Sequence, residues 1–289
     1  MISNDDSPLP DTEVHYLRSE HVGDEFKILV GHCGSSGSAP PQVLFIGDPW
    51  ANFGSAVEII RLMNYFEDLP PLLVVAVGYR VATMEGNFPR RARDFTPTVD
   101  LTQTWEDRAM MGGASRFLAF LRDELKPWVR ERYGVDPDDS VFFGYSLGGL
   151  FATYVLLNEP ATFRRYGIGG PSLDWDKGLM FEHESEYART HDDLPAKVFF
   201  SVGANENTEG QRRWRAQLPA DRRAKAEAQA EGDPPYDTVA DAERMVGALR
   251  GRGYPSLDIE FEVWPGEYHQ TAPPLALSRS LRYLFDAPR

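Results

Sequence analysis

Cysteine is nearly absent from this sequence: Cys33 is the single one among 289 residues. One thiol cannot form an internal disulfide or a cysteine-only metal cluster, which excludes disulfide-stabilised and zinc-ribbon classes. No apolar run reaches the roughly 18 residues that a transmembrane helix requires. The N-terminal segment MISNDDSPLPDTEV lacks the basic and apolar regions of a signal peptide, so we expect a cytoplasmic protein.

Positive charge is also scarce, with 30 Lys and Arg against 44 Asp and Glu and a net charge of −14. Such a chain repels phosphate-rich surfaces overall, so we expect neither nucleic acid nor an anionic membrane as a partner. A hydrophobic content of 42% with 12% aromatic residues excludes a disordered chain.

Apolar strand patterns alternate with helical patterns along the chain. We predict a surface hairpin from strands 26–30 and 42–46, a long loop over 79–104 and a helix over 112–133 kinked at Pro127. Further strands are expected at 72–77, 141–145, 197–202 and 257–264, and further helices at 58–66, from 147, from 239 to Gly251 and at 276–286. This alternation predicts an α/β fold with a mainly parallel sheet covered by helices on both faces.

The chain shows no internal repeat and no break in composition, so we expect a single domain over residues 1–289. The segment 207–237 is rich in Arg, Ala and Glu and lacks a convincing apolar face. It is either a solvated helical excursion or a lid over a binding cleft.

One serine stands in the apolar run VFFGYSLGGLFATYVLL, at the point where a strand should give way to a helix. Gly144-Tyr145-Ser146-Leu147-Gly148 matches G-x-S-x-G, the turn that lifts a serine hydroxyl above a sheet. In that turn the flanking glycines at −2 and +2 let strand and helix approach each other, and the Leu147 N–H points at a developing oxyanion. The pattern in this context predicts Ser146 as a nucleophile.

A serine hydroxyl requires a base that removes its proton, and six histidines are available. His269 lies in PGEYHQTAPP, directly after the last predicted strand and before the last helix. A loop there can bring an imidazole over the end of strand 141–145, so His269 is the predicted base.

The third member should be a carboxylate between Ser146 and His269 in the chain. Glu206 is the first carboxylate after strand 197–202 and is our choice; Glu209, Asp237 and Asp241 are the alternatives, and a Ser–His dyad is another. Asp241 also fits a capping role at the start of the helix that follows Thr238.

A second oxyanion donor should follow strand 42–46, in the sequence IGDPWANF. Pro49 has no N–H, so the amide would come from Trp50 or, as the alternative, Asp48. The Trp50 side chain would fit a pocket wall as well.

Several segments, in this order, resemble the esterase D-like branch of the α/β-hydrolases, and in particular the trilactone siderophore hydrolases related to enterochelin esterase. They are YLRSEHVGDEFKILV, QVLFIGDPW, RRARDFTPT, GYSLGGLFATYVLL, GGPSLDWD, KVFFSVGANE and WPGEYHQTAPP. The resemblance implies an α/β-hydrolase fold, the nucleophile at Ser146, the base at His269 and hydrolysis of a carboxylic ester. Where such proteins usually have Asp-Gly this chain has Asp48-Pro49, and Asp174 replaces a usual tryptophan.

We therefore expect a serine esterase that forms an acyl-enzyme, acts on a small-molecule ester and uses neither a metal nor an organic cofactor. An acyltransferase of the same fold and a non-catalytic ligand-binding homologue are the alternatives. The candidates for substrate contact are Tyr145, Arg90, Arg91, Arg93 and Trp175; the arginines would attract an anionic ester or, alternatively, anchor their own segment through acids such as Asp94.

Overall fold

The computed structural model describes residues 9–34, 40–66, 69–81, 83–102, 110–230 and 235–286, without the side chains of residues 50, 51, 84, 85 and 229. Its strands form one sheet in the order β1-β2-β4-β3-β5-β6-β7-β8. They are β1 (Thr12–Arg18), β2 (Glu25–Cys33), β3 (Gln42–Gly47), β4 (Leu72–Tyr79), β5 (Ser140–Tyr145), β6 (Arg165–Gly169), β7 (Ala196–Gly203) and β8 (Leu257–Trp264).

The sheet is mainly parallel, as predicted. From β4 to β8 every neighbouring pair is parallel, whereas β2 pairs antiparallel with both β1 and β4. The predicted hairpin between 26–30 and 42–46 is wrong: β4 lies between these two strands and pairs with each of them. Strands β2 and β3 are consecutive in the sequence but are not neighbours in the sheet, because the apolar strand β4 lies between them.

The helices cover both faces of the sheet, which confirms the predicted layers. They are α1 (Pro49–Tyr65), α2 (Met84–Phe95), α3 (Ala114–Phe120), α4 (Lys126–Tyr133), α5 (Leu147–Asn158), α6 (Trp175–Thr190), α7 (Thr208–Ala216), α8 (Ala220–Gln229), α9 (Thr238–Arg252) and α10 (Pro273–Leu284). Side chains of α1 and α10 form one apolar core, and those of α2 to α6 and α9 form the other.

Alternate residues of the central strands supply these two cores. In β3, Val43 and Phe45 enter the core under α2 to α6, while Leu44 and Ile46 enter the core under α1 and α10. A parallel strand that is buried on both sides reads as a continuous apolar run, which is why these strands could be recognised from the sequence.

The predicted loop 79–104 contains α2, so this part of the prediction is wrong. Thr83 caps the helix by accepting a hydrogen bond from the Gly86 N–H at 3.2 Å, and Pro89 lies inside it. Its sequence is polar and rich in arginine, but Ala92 and Phe95 are buried against the sheet. Tertiary packing of this narrow apolar face stabilises a helix that local propensity does not predict.

The predicted helix over 112–133 is present as α3 and α4, which are joined by a π-helical turn over Leu121–Leu125 shortly before Pro127, the predicted kink position. The N–H of Lys126, the residue before Pro127, donates to the carbonyl of Leu121, five residues back in the chain.

Helix α9 ends at Arg252 with Gly253 in the left-handed conformation, rather than at Gly251 as predicted. The sequence reading missed β1, β6 and α6. In the described part of the chain no helix is both long and apolar enough to cross a bilayer.

The segment 207–237 leaves the domain and returns through a narrow neck. Asn207 and Asp237 form an isolated antiparallel bridge, and Thr208 exchanges hydrogen bonds with Tyr236. Between these residues lie α7 and α8, whose side chains are mostly exposed; residues 231–234 lie outside the described ranges. The predicted helical excursion is therefore present within the described residues.

Candidate active site

Ser146 lies in a sharp turn between β5 and α5 and has φ 62° and ψ −122°. A non-glycine residue with positive φ is strained, and such strain is typical of a residue held for function. The Ser146 N–H donates to the Gly169 carbonyl at 3.0 Å, and the Ser146 carbonyl accepts from the Ser172 N–H at 3.3 Å. Bonds to the end of β6 and the loop beyond it thus hold the turn in place.

Of the two glycines that flank the serine, Gly144 is required by close packing. A Cβ on Gly144 would lie 2.1 Å from the Gly148 carbonyl oxygen, an impossible approach. A Cβ on Gly148 would lie 3.6 Å from its nearest neighbour, an ordinary contact, so the expected steric need at +2 is wrong. The tight contact on the helix side belongs to Gly149, whose Cβ would lie 2.7 Å from the Gly169 carbonyl oxygen.

His269 lies in the turn between β8 and α10, and its ring is paired with Glu206. Its Nδ1 lies 2.5 Å from Oε2 of Glu206. The carboxylate is completely buried, whereas the imidazole is 40% exposed. A carboxylate on Nδ1 fixes the tautomer in which Nε2 is the basic nitrogen and stabilises the imidazolium when that nitrogen takes up a proton.

The second carboxylate oxygen of Glu206 is held as firmly as the first. Oε1 accepts hydrogen bonds from the Gly203 N–H and the Tyr145 hydroxyl, both at 2.6 Å. Burial and the adjacent Glu206 charge raise the pKa of the Tyr145 phenol well above its ordinary value, so it stays a donor. The buried carboxylate thus has three hydrogen-bond partners, as a buried charge requires.

Two of the three alternative carboxylates have other partners. Glu209 pairs with Arg212 at 2.9 Å on the exposed face of α7. Asp237 caps α9 by accepting from the Ala240 N–H at 3.1 Å, the capping role that the sequence had suggested for Asp241. Asp241 lies in the first turn of α9, where burial raises the pKa of its carboxyl.

Ser146 and His269 line the same cavity of about 420 Å³ at the carboxyl ends of the parallel strands. Its size is within the range of small-molecule sites, and this edge of an open α/β sheet is where ligands bind. The other lining residues are Asp48, Asn52, Asn87, Phe88, Arg91, Tyr145, Gln270 and Pro273.

The two predicted oxyanion donors both lie in first turns of helices. Leu147 is the first residue of α5, and Trp50 is the second residue of α1. N–H groups at these positions have no acceptor within their own helix, so they are available to a negatively charged oxygen. The side chain of Trp50, considered above as a pocket wall, lies outside the described part of the structure.

Of the three arginines in the cluster, one lines the cavity and the other two pair with acidic residues. Arg90 lies 3.4 Å from Asp24, and Arg93 donates to Asp24 and Asp94, which agrees with the alternative of segment anchoring. Arg91 lines the cavity and is itself paired with Asp48.

Trp175 and Tyr145, the two aromatic candidates for substrate contact, are placed differently. Trp175 is buried at the start of α6 and is not among the residues that line the cavity. Tyr145 does line the cavity, and its hydroxyl contacts Glu206.

Sequence reasoning missed several lining residues, namely Asn52, Asn87, Phe88, Gln270 and Pro273. All of them follow the carboxyl end of a strand: β3, β4 or β8. The rule that ligands bind at this edge would have drawn attention to them, but α2 had first to be recognised.

Among the described residues no group of three or more His, Cys, Asp or Glu side chains is arranged to hold a metal ion.

Solved structures share this architecture. The siderophore hydrolase EstB from Aspergillus nidulans superimposes with a TM-score of 0.78 over 97% of this chain and 96% of its own, at 24% identity. A BES protein from Bacillus cereus gives a TM-score of 0.77 over 98% of both chains, at 23% identity. These likenesses establish the α/β-hydrolase fold.

Sequence comparison places the chain among esterases. It is 26% identical over 293 residues to the ferri-bacillibactin esterase BesA of Bacillus subtilis, covering 95% of this chain and 90% of that protein. A family model described as "Putative esterase" matches residues 78–243, more than half of the chain. The chain therefore belongs to this esterase family and is a serine carboxylic-ester hydrolase of the α/β-hydrolase fold.

Proposed function

We propose that Ser146, His269 and Glu206 form the catalytic triad of this esterase. The observation that carries the proposal is the buried Glu206 carboxylate at 2.5 Å from Nδ1 of His269, whose ring shares a cavity with Ser146. Both oxygens of that carboxylate are hydrogen-bonded, which favours the triad over a Ser–His dyad.

The chemistry follows from this arrangement. Nε2 of His269 takes the proton of the Ser146 hydroxyl while Oγ attacks the ester carbonyl. The resulting oxyanion accepts hydrogen bonds from the amides of Leu147 and Trp50. Collapse of the tetrahedral intermediate transfers the proton from His269 to the leaving alcohol and leaves an acyl-enzyme. Water then attacks with His269 as base, which releases the acid and restores Ser146.

The substrate that we propose is an ester of the siderophore trilactone type. Two similar proteins support this proposal: the Bacillus subtilis protein is named a ferri-bacillibactin esterase, and the Aspergillus nidulans structure is named a siderophore hydrolase. The cavity suits one ester arm better than a whole trilactone, since a volume of about 420 Å³ is at the lower end of the range for pockets that hold drug-sized ligands. The larger part of such a substrate would therefore lie outside the cavity.

The deciding experiment compares wild type with Ser146→Ala on a panel of siderophore trilactones and feruloyl, acetyl and thioesters, with fluorophosphonate labelling in parallel. We expect turnover that is highest on the trilactones, a covalent adduct on Ser146 and loss of both in the variant. Binding without turnover or adduct would favour the non-catalytic homologue. Preferential transfer of the acyl group to an added alcohol would favour the acyltransferase.

A second variant separates triad from dyad. Glu206→Gln should lower kcat by roughly 10²- to 10⁴-fold, since the wrong histidine tautomer is then favoured. A loss of less than about threefold in a variant that folds normally would support the dyad.

A further inference from the structure

Arg91 joins two parts of the site that are far apart in the sequence. Its Nε donates to Oδ2 of Asp48 at 2.7 Å, and its Nη2 donates to the Tyr145 carbonyl at 3.2 Å. Asp48 precedes Pro49 and Trp50 at the start of α1, and Tyr145 precedes Ser146 and Leu147 at the start of α5. One guanidinium from α2 therefore contacts both Asp48 and Tyr145, which lie two residues before the proposed oxyanion donors Trp50 and Leu147.

Asp48 begins α1 in an uncommon backbone conformation. It has φ 56° and ψ 62°, a left-handed conformation that few residues other than glycine, asparagine and aspartate adopt, and it occupies the N-cap position of α1. An aspartate at this position usually caps its helix, but here the carboxylate makes no capping hydrogen bond. It is 5% exposed and turned toward Arg91 instead, so the pair fixes the direction in which α1 begins.

The same pairing argues against a simple role in attracting anions. Arg91 is only 8% exposed, and its charge is offset by the carboxylate at 2.7 Å. A neutralised pair exerts little long-range attraction on a charged substrate. A planar guanidinium that bridges two acceptors is, in contrast, well suited to hold them at a fixed separation.

We propose that Arg91 is a positioning residue that clamps the two oxyanion donors, through Asp48 on one side and the Tyr145 carbonyl on the other. This proposal rests on the proposed function of Ser146, Leu147 and Trp50. The clamp acts on the transition state more than on the bound ester, because the oxyanion forms only as the reaction proceeds.

The test is a double-mutant cycle of Arg91→Met, Asp48→Asn and the double variant on a neutral p-nitrophenyl ester. Each single variant should lower kcat roughly 10- to 100-fold with KM changed by less than about threefold. The rate of fluorophosphonate labelling should fall in parallel. Because the two residues act as one unit, the double variant should be no slower than the slower single variant.

Arg91→Lys keeps the positive charge and removes the planar guanidinium that donates to two acceptors at once. It should pair with Asp48 and fold normally, yet lose the contact with Tyr145, so kcat should fall roughly three- to tenfold. This variant keeps the test decisive if Arg91→Met fails to fold. A wild-type kcat in Arg91→Lys would overturn the clamp.

The control is Arg252→Met, which removes hydrogen bonds of 2.8 and 2.9 Å from the end of α9 to the buried Glu184 carboxylate in α6. It should lower thermal stability and leave kcat unchanged. A similar profile in Arg91→Met would reduce Arg91 to a structural role. A change confined to KM for anionic esters would instead assign it to substrate recognition, and additive losses in the cycle would exclude a common unit.

Failure of the underlying site would look different. If Ser146→Ala kept full turnover and Ser146 stayed unlabelled, the proposed function would be wrong whatever the Arg91 variants did. If Ser146→Ala is inactive and the Arg91 variants behave as wild type, the clamp alone is wrong.

Discussion

The hydroxyl of Tyr145 connects the residue before the proposed nucleophile to the proposed catalytic acid. It donates to Oε1 of Glu206, while Oε2 of the same carboxylate faces His269. The Tyr145 ring also lies against the imidazole, with ring centroids 5.1 Å apart. The side chain at the first x position of G-x-S-x-G thus contacts both proposed catalytic partners of Ser146.

Tyr145→Phe removes one donor from a buried carboxylate and keeps the ring. We expect the free energy of unfolding to fall by about 1–3 kcal/mol and kcat/KM to fall roughly tenfold, because Glu206 is then held less firmly. Denaturant unfolding and steady-state kinetics measure the two effects. Tyr166→Phe is the control: that hydroxyl donates to the Pro160 carbonyl at 2.8 Å, so the variant should lose stability but no activity. Wild-type kinetics in Tyr145→Phe would show that the tyrosine contact is dispensable.

At the scale of the element, the turn between β5 and α5 is constrained by the close packing of its backbone. Gly144 and Gly148 occupy equivalent places in the motif. An added Cβ would collide with backbone at Gly144 but would make only an ordinary contact at Gly148. The motif therefore combines a steric requirement at one glycine with a position that tolerates a methyl group at the other.

Alanine at each position tests this difference. Gly144→Ala should lower the free energy of unfolding by more than about 3 kcal/mol, because backbone at 2.1 Å cannot yield cheaply. Gly148→Ala should stay within about 1 kcal/mol of wild type, since its neighbours are at 3.6 Å or more and alanine favours the helix. Thermal or denaturant melts of the two variants suffice. Equal losses would contradict the steric account.

The excursion of α7 and α8 is an element of a different kind, since its neck is closed by its own hydrogen bonds. Replacing residues 209–235 by Asn-Gly keeps the paired residues Thr208 and Tyr236 and supplies a two-residue hairpin turn.

We expect that deletion to shift Tm by only a few degrees, because almost none of the described side chains of α7 and α8 is buried. If the excursion is a wall or lid for large esters, kcat/KM should fall on siderophore trilactones and stay unchanged on p-nitrophenyl acetate. Equal activity on both would leave the excursion as a solvated appendage.

At the scale of the whole molecule, hydrogen bonds to one carboxylate connect the antiparallel edge of the sheet to helix α4. Glu13 of β1 accepts from His32 of β2 at 2.9 Å and from Tyr133 of α4 at 3.1 Å, and it lies 2.6 Å from His15. Although partial burial acts in the opposite direction, these hydrogen bonds from His32, His15 and Tyr133 lower the Glu13 pKa to about 2 from its usual 4.5.

A folded-state pKa below the unfolded value stabilises the protein above pH 4.5, and that contribution is lost as the pH falls toward about 2. The difference in unfolding free energy between wild type and Glu13→Gln should therefore be fully present above about pH 5 and be lost as the pH falls through about 2. Urea titrations across this range measure it. A difference that does not change with pH would mean that the Glu13 charge contributes nothing.

Local patterns in the sequence were sufficient for much of the fold. The apolar runs of β3, β4 and β5 and the turn at Ser146 are recognisable because a buried parallel strand and a strand-to-helix glycine turn leave short, continuous signatures. Helix α2 could not be predicted in the same way. Its polar sequence with Pro89 favours a loop, whereas the burial of Ala92 and Phe95 stabilises a helix.

The same division holds for the candidate site. The sequence alone predicts Ser146 and His269, because a serine nucleophile requires a base and the position of each residue relative to the predicted strands restricts where it can lie. Glu206 stood among four carboxylates, and the structure shows it as the one whose oxygen lies at the His269 ring. Distances between residues 63 positions apart depend on how β7 and β8 pair, which no local pattern encodes.

The sequence by itself determined the class of fold, the strand-to-helix turn and the chemistry that a serine and a histidine at these places suggest. The tertiary structure decided that β4 separates β2 from β3, that Glu206 meets His269 and that Arg91 meets Asp48. The physical reason is that helix and strand periodicity depends on neighbouring residues, whereas these contacts depend on the packing of whole layers.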